Sequence, residues 1–256
     1  MKKILALCKR DFVNYFTTPI AYILLAIFLF LVGNIFWLTY ASYAEAYRAY
    51  SSYPWAKEEL TLGQMVLRPY FMIMSNILMF FIPMITMRLL SEEKKLGTIE
   101  FLLTSPVTIP QIIIGKYLAA VALVLTMFAG SAIYPLLLQI YGHPDLGLLA
   151  SGYLGLLLMA MAFIALGLFA SSLTENQIVA AIIGFSMLML FWIINWGAKN
   201  VGNSTINKLL NYLSLSDHFA DFAKGIIDTQ HVIYFASIAL LGLFLTGIIV
   251  QSHRWR

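Results

Sequence analysis

The sequence predicts an all-α polytopic membrane protein with six transmembrane helices behind an amphipathic interface helix. Of the 256 residues, 61% are hydrophobic and only 11% are charged, about half the charged fraction of an ordinary soluble domain. The apolar residues also form uninterrupted runs of roughly 20 residues, the length that an α-helix needs to cross a bilayer. Transmembrane β-strands would alternate in polarity, and these runs do not.

Residues 2–16 are predicted to form the interface helix. Apolar side chains recur there at helical spacing while the opposite face is basic, a pattern typical of a helix lying in the membrane interface. Lys9 and Arg10 belong to the polar face and Phe12 to the apolar face. Pro19 can then open the next helix, because a proline at the first helical position loses no hydrogen bond.

Six spanning helices are expected after it. The first apolar run is too long for the core of a signal peptide, so we interpret it as a retained span. The connections include a Tyr-rich loop at 42–65 and a segment at 198–230 with two short amphipathic helices, capped by Ser204 and Ser216 and ended by Gly225. That segment either rests on the bilayer surface or enters it as a re-entrant hairpin. The predicted spans lie at about 20–41, 66–90, 111–140, 148–171, 177–197 and 231–252.

The distribution of basic residues predicts that both termini are cytoplasmic in the inner (plasma) membrane. Ten of the 16 Lys and Arg residues fall on the side of the termini and six on the other. Positive charge collects on the cytoplasmic side of membrane proteins. The segment 91–108 and the turn 171–177 are then cytoplasmic, and 198–230 lies outside.

The sequence shows no motif for catalysis or ion coupling. Gly115 and Lys116 lack the earlier glycine of a phosphate-binding loop, and the four histidines stand at no metal-ligand spacing. Every charge lies at or beyond a span end, which disfavours a proton or sodium pathway. Basic residues are scattered, so no nucleic acid is expected. We therefore expect no catalytic residue, no metal and no cofactor on this chain.

The segment 91–108 holds the densest charge in the chain. Gly97 can end the second span in a left-handed conformation, and Thr98 can cap a new short helix with Glu100 in its first turn. Pro106 stops that helix. The pattern predicts a short helix that a partner in the aqueous phase could bind. The alternative is a charged interfacial turn that only anchors the end of the second span. The predicted apolar face is Ile99, Leu102 and Leu103.

The stretch from Glu93 to Val107 reads Glu-Lys-Lys-Leu-Gly-Thr-Ile-Glu-Phe-Leu-Leu-Thr-Ser-Pro-Val. It resembles the cytoplasmic loop of ABC-2 type permeases, the membrane subunits of ATP-driven exporters, and the resemblance covers essentially the whole chain. The residues of this segment are most similar to those of the gliding-motility branch of the family, and they are also similar to those of the copper-enzyme maturation permeases. The resemblance implies a type V exporter-like fold in which two permeases pair and each binds a separate ATPase that holds ATP and Mg²⁺.

The resemblance also implies roles for particular segments. Residues 98–104 would form the coupling helix, 2–16 the connecting helix, 171–177 a second contact and 198–230 an outer hairpin. The residues implied in the ATPase contact are Glu92, Glu93, Lys94, Lys95, Gly97, Thr98, Glu100, Leu102, Leu103 and Pro106, with Thr174, Glu175 and Asn176 in the second contact and Lys9, Arg10 and Phe12 on the interface helix.

The sequence thus predicts a permease subunit of an ABC exporter, which is not itself an enzyme. Its expected partners are an ABC ATPase, a second permease copy or paralogue, and membrane lipids. One alternative is an anchor or scaffold subunit of a motility or envelope complex that uses the same ATPase contact. The other is a secondary transporter, which would require pathway charges or internal repeats.

Overall fold

A computed structural model of the chain describes residues 2–50, 53, 61–98, 107–142, 144–198, 212 and 214–253. Several predicted features lie outside these residues. They are the helix predicted behind Ser204 and four residues of the predicted ATPase contact, namely Glu100, Leu102, Leu103 and Pro106.

The first two helices are α1 (Lys2–Thr17) and α2 (Pro19–Tyr50). α2 begins at Pro19, as the sequence predicts, but it continues to Tyr50 in place of the start of the loop predicted for residues 42–65. The reason is that residues 41–50 are polar yet rich in alanine and contain no glycine or proline. Such a sequence lets a helix leave the apolar layer without a break.

The second and third spans are each interrupted. A π-helical turn, Gly63–Leu67, leads into α3 (Arg68–Thr86), and a turn separates α3 from the short α4 (Ser91–Lys95). The third span is α5 (Ile109–Ser131) followed after one residue by α6 (Ile133–Gly142). Thr108 opens α5 with a capping box, in which the Gln111 side chain accepts a hydrogen bond from the Thr108 amide at 3.2 Å.

The remaining helices are α7 (Leu146–Leu173), α8 (Gln177–Ala198), α9 (Leu215–Phe222) and α10 (Thr229–His253). Together they complete six helices in the described residues that are long and apolar enough to span a membrane, as the sequence predicts. The prediction that Ser216 caps α9 is wrong. Ser214 is the cap, because its hydroxyl accepts from the amide of Asp217 at 3.3 Å. The predicted break at Gly225 is present, with φ of +91°.

α7 is the central helix of the bundle. About 72% of its most apolar stretch is buried, against 22% for α2 and 17% for α8. Glycines on α7 let neighbours approach closely, and an added Cβ at Gly155 would meet the side chain of Phe222 at 2.5 Å. α10 approaches as tightly from its own side, since a Cβ at Gly242 would lie 2.8 Å from the backbone carbon of Ala165. Small residues are what allow helices to pack this closely in membranes.

We predict that Gly242→Ala destabilises the protein by about 1–3 kcal/mol, because its methyl group meets backbone that cannot rotate away. Gly247→Ala is the matched control on the same helix, since its nearest neighbour would be 3.9 Å away. Thermal unfolding in detergent measures both. Equal stability of the two variants would contradict the close α7–α10 contact.

Candidate functional site

The predicted ATPase contact begins on α4. Gly97 follows this helix in the left-handed conformation that the sequence predicts, with φ of +68°. The Thr98 hydroxyl donates back to the Glu93 carbonyl at 3.3 Å; the helix that Thr98 is predicted to cap lies outside the described residues. Lys95, Leu96, Gly97 and Thr98 are all exposed. We call these four residues the exposed α4 end.

Four charged side chains meet on the inner side of α4. Lys116 Nζ lies 2.8 Å from Glu93 Oε1 and 3.1 Å from Asp11 Oδ2. Arg10 Nη2 lies 2.7 Å from Asp11 Oδ1 and 3.3 Å from Glu93 Oε1. The side chains of Lys116 and Asp11 are only 5% and 9% exposed. This four-charge cluster joins α1, α4 and α5, and its two cations balance its two anions.

Sequence reasoning missed this cluster, apart from naming Arg10 and Glu93 singly. Asp11 and Lys116 are 105 positions apart, and no local pattern pairs them. One signal was present: Asp11 shares the apolar face of α1 with Leu7 and Tyr15, at helical spacing. A carboxylate on the face that a helix buries needs a partner, because burying an unpaired charge is costly.

A single hydroxyl on α7 completes the turn between α3 and α4. The break in the helix leaves the amides of Leu90 and Ser91 without helical partners, and both donate to Ser171 Oγ at 3.1 Å. The same hydroxyl donates to the carbonyl of Met87 at 3.0 Å. We call this arrangement the Ser171 latch. It fastens the start of α4 to the fourth span.

Lys94 strengthens that attachment from α4. Its side chain is buried, and its ammonium donates to the backbone carbonyl of Ser172 at the end of α7. The sequence prediction names Lys94 as a direct ATPase contact, but the residue faces the protein interior. Lys94 therefore connects two helices, and its direct contact with the ATPase stays a prediction.

The second predicted contact is the turn between α7 and α8. Thr174 Oγ1 accepts from the Asn176 amide at 3.1 Å, and Asn176 Oδ1 accepts from the Ile178 amide at 2.9 Å. These bonds fix the turn and cap α8. Glu175 is exposed and interacts electrostatically with Lys94. The turn and α4 are therefore neighbours on one face of the protein.

A cleft of about 690 Å³ opens between α1, α4 and the start of α5. Glu92 and Glu93 line it and are half-buried, so neither is fully presented to solvent. Nε of Arg88 and Oε2 of Glu93 are buried there and make no hydrogen bond within the described part of the chain. Charged side chains thus stand on the walls of this cleft, among them Arg10, Asp11 and Lys116.

α1 also contacts the helical bundle outside the four-charge cluster. The Tyr15 hydroxyl donates to the carbonyl of Ile85 on α3 at 3.2 Å, and burial raises the pKa of Tyr15 well above its usual range. The phenol therefore stays a neutral donor. Phe12 is half-buried against Phe16, with ring centroids 5.1 Å apart, and Lys9 is exposed. α1 thus presents a basic outer side while its inner side ties into the bundle.

Proteins of known family resemble this chain in sequence. A family model described as ABC-2 family transporter protein matches residues 5–252. The chain belongs to the ABC-2 transporter family. It is 30% identical over 137 residues to the probable multidrug ABC transporter permease YbhR of Escherichia coli strain K12, and equally to that of E. coli O157:H7. The match covers 53% of this chain and 37% of each relative, so it spans well under half the length of these relatives.

Family membership makes this chain a multi-pass transmembrane permease of an ABC transporter. Within the described residues of the ABC-2 permease, no group of three His, Cys, Asp or Glu side chains could hold a metal ion. The assignment to the gliding-motility branch stays a prediction.

We predict that Ser171→Ala loosens the ABC-2 permease at the start of α4. The amides of Leu90 and Ser91 lose their acceptor, which costs about 1–3 kcal/mol for a buried donor. Hydrogen exchange at these two amides should accelerate. Ser172→Ala is the control, because that hydroxyl bonds only within its own helix, to the carbonyl of Phe169. Unchanged protection in the Ser171 variant would show that the latch does not hold α4.

Proposed function

We propose that this permease is the transport subunit of an ABC exporter driven by a separate ATPase. The ATPase binds the exposed α4 end and the adjacent turn at 174–176 on the cytoplasmic side. Both termini lie on that side, in the inner membrane. ATP and Mg²⁺ bind to the ATPase, and a second permease copy or paralogue completes the translocation unit.

The observation that carries the proposal is the way α4 is fastened. The four-charge cluster ties it to α1 and α5, and the Ser171 latch with Lys94 ties it to α7. A push on α4 therefore acts on the interface helix and on two spans, including the central one. A simple anchoring turn would need no such set of buried connections.

The apolar spans and the names of the relatives support one substrate class. α2 and α8 present long apolar faces, and the two relatives are named as probable multidrug permeases. We propose that the substrate is a small amphiphilic molecule that enters from the cytoplasm or inner leaflet and leaves outward.

The test is co-purification with an ABC ATPase, followed by transport and ATP hydrolysis in proteoliposomes. Glu93→Lys places a third cation among the buried charges and should lower ATP-driven transport roughly tenfold, within the usual range of coupling free energies. Lys116→Glu should do the same. Combining the two restores opposite charges at these positions and should recover part of the activity.

Glu45→Lys is the matched control, because this exposed carboxylate near the end of α2 lies outside the cluster. It should leave transport unchanged. Full activity of the Glu93 variant would refute the coupling role of the cluster. If no ABC ATPase binds the unmodified permease, the proposed function itself fails.

A further inference from the structure

Two histidines meet at a place that the exporter function does not use. His218 on α9 and His231 on α10 bring their Nδ1 atoms to 2.7 Å. The turn at Gly225 reverses the chain between them. Lys224, in the same turn, lines a small cavity with Arg68 at the start of α3, whereas the four-charge cluster lies beyond the other end of α3. The pair is therefore at the opposite end of the bundle, outside the cell in the proposed orientation. The two histidines are 13 positions apart, and their sequence spacing does not predict this contact.

The Nε2 atoms of His218 and His231 must both carry protons. His218 Nε2 lies 2.9 Å from the backbone carbonyl of Tyr212, and His231 Nε2 lies 3.0 Å from Asp221 Oδ2. A carbonyl can only accept a hydrogen bond. Asp221 is also an acceptor, because its hydrogen bond from Lys224, at 2.7 Å, lowers the pKa of the carboxyl.

The contact between the two Nδ1 atoms then determines how many protons the pair holds. Two bare Nδ1 lone pairs would repel at 2.7 Å, and two N–H groups would clash, so one proton must lie between them. The four ring nitrogens hold three protons, and the pair carries one positive charge. Asp221 supplies the matching negative charge.

The surroundings favour this single-proton state. His218 is 4% exposed and stacks on Tyr234 with ring centroids 3.8 Å apart. Burial lowers the pKa of His218, so it resists a second charge on the pair. The charged and titratable groups around the pair are Asp217 and Asp221 on α9, Lys224 and Asp228 in the turn, Tyr212, and Tyr234 on α10. α7 and α8, which also pack on α9, carry no charged residue and contribute only Tyr153.

We propose that His218 and His231 form a binding site for one proton that fastens α9 to the start of α10. Loss of the proton leaves two lone pairs facing each other, and gain of a second leaves two N–H groups facing each other. Either change breaks the contact. The outer segment of the permease is thereby held in place only within a window of external pH.

Both flanks of this window follow from proton linkage. On the alkaline side, loss of the shared proton leaves two Nδ1 lone pairs facing each other at 2.7 Å, so stability falls as the pH rises. On the acid side, the unfolded chain protonates both histidines while the buried His218 resists, so stability falls as the pH drops. The expected profile is a maximum.

The first test is the thermal midpoint of the permease in lipid nanodiscs from about pH 4.5 to pH 9, which brackets the ordinary histidine pKa. The unmodified protein should show a maximum, with the midpoint roughly 3 °C lower on each flank. His231→Gln and His218→Gln should each flatten it. His253→Gln, at the far end of α10, is the control and should keep the maximum. A variant of either paired histidine with the profile of the unmodified protein would overturn the proposal.

A second test avoids substitutions. Nuclear magnetic resonance of ¹⁵N-imidazole-labelled permease at neutral pH should show three protonated nitrogens and one bare nitrogen for this pair. Two histidines that titrate independently, each with its own single transition, would overturn the proton-sharing site even if the variants fail to fold.

Discussion

The buried ammonium of Lys116 is the interaction on which the proposed ATPase-coupling face depends. It is almost fully buried near the start of the third span, where an unpaired cation would be very costly. Its two carboxylate partners come from α1 and α4. None of these groups can leave without stranding a buried charge, which is far more destabilising than never having had the pair. The ion pairs therefore hold α1, α4 and the third span together.

The two ends of the molecule use different chemistry for similar attachments. Around α4, ion pairs and one serine hydroxyl connect short elements to the spans. On the opposite side, α9 meets α10 through a shared proton, so that connection responds to the solvent. The central helix α7 participates in both regions: Ser171 binds the turn before α4, and Ser151 Oγ donates to the Phe222 carbonyl at 2.9 Å.

Local signals in the sequence predict the elements well. Apolar runs of sufficient length give the six spans, helical spacing gives α1, and Gly97 and Gly225 mark backbone breaks that only glycine adopts easily. The errors are also local in origin. An alanine-rich polar stretch hides the extension of α2, and Ser214 and Ser216 offer two nearly equivalent caps for α9.

Local patterns in the sequence could not predict which residues pair with each other across helices. Asp11 with Lys116, Ser171 with the turn at 87–90, and His218 with His231 come together only through packing of distant helices. Lys94 shows that a local motif does not determine which way a side chain faces. Its motif predicts a surface role, but whether a lysine on a short helix faces solvent or the protein depends on what lies beside that helix.

The central claim is that α4 moves as one body with α1 and the C-terminal end of α7. The most direct measurement is electron paramagnetic resonance between spin labels on Lys95, Lys9 and Glu175, which are all exposed. It uses labelled permease–ATPase complexes that keep ATP-driven transport, with and without trapped ATP. The account predicts that the three pairwise distance distributions stay the same while the complex changes nucleotide state. A nucleotide-dependent change in the Lys95–Lys9 or Lys95–Glu175 distance would contradict it, because α4 would then move independently of the helices that it is proposed to drive.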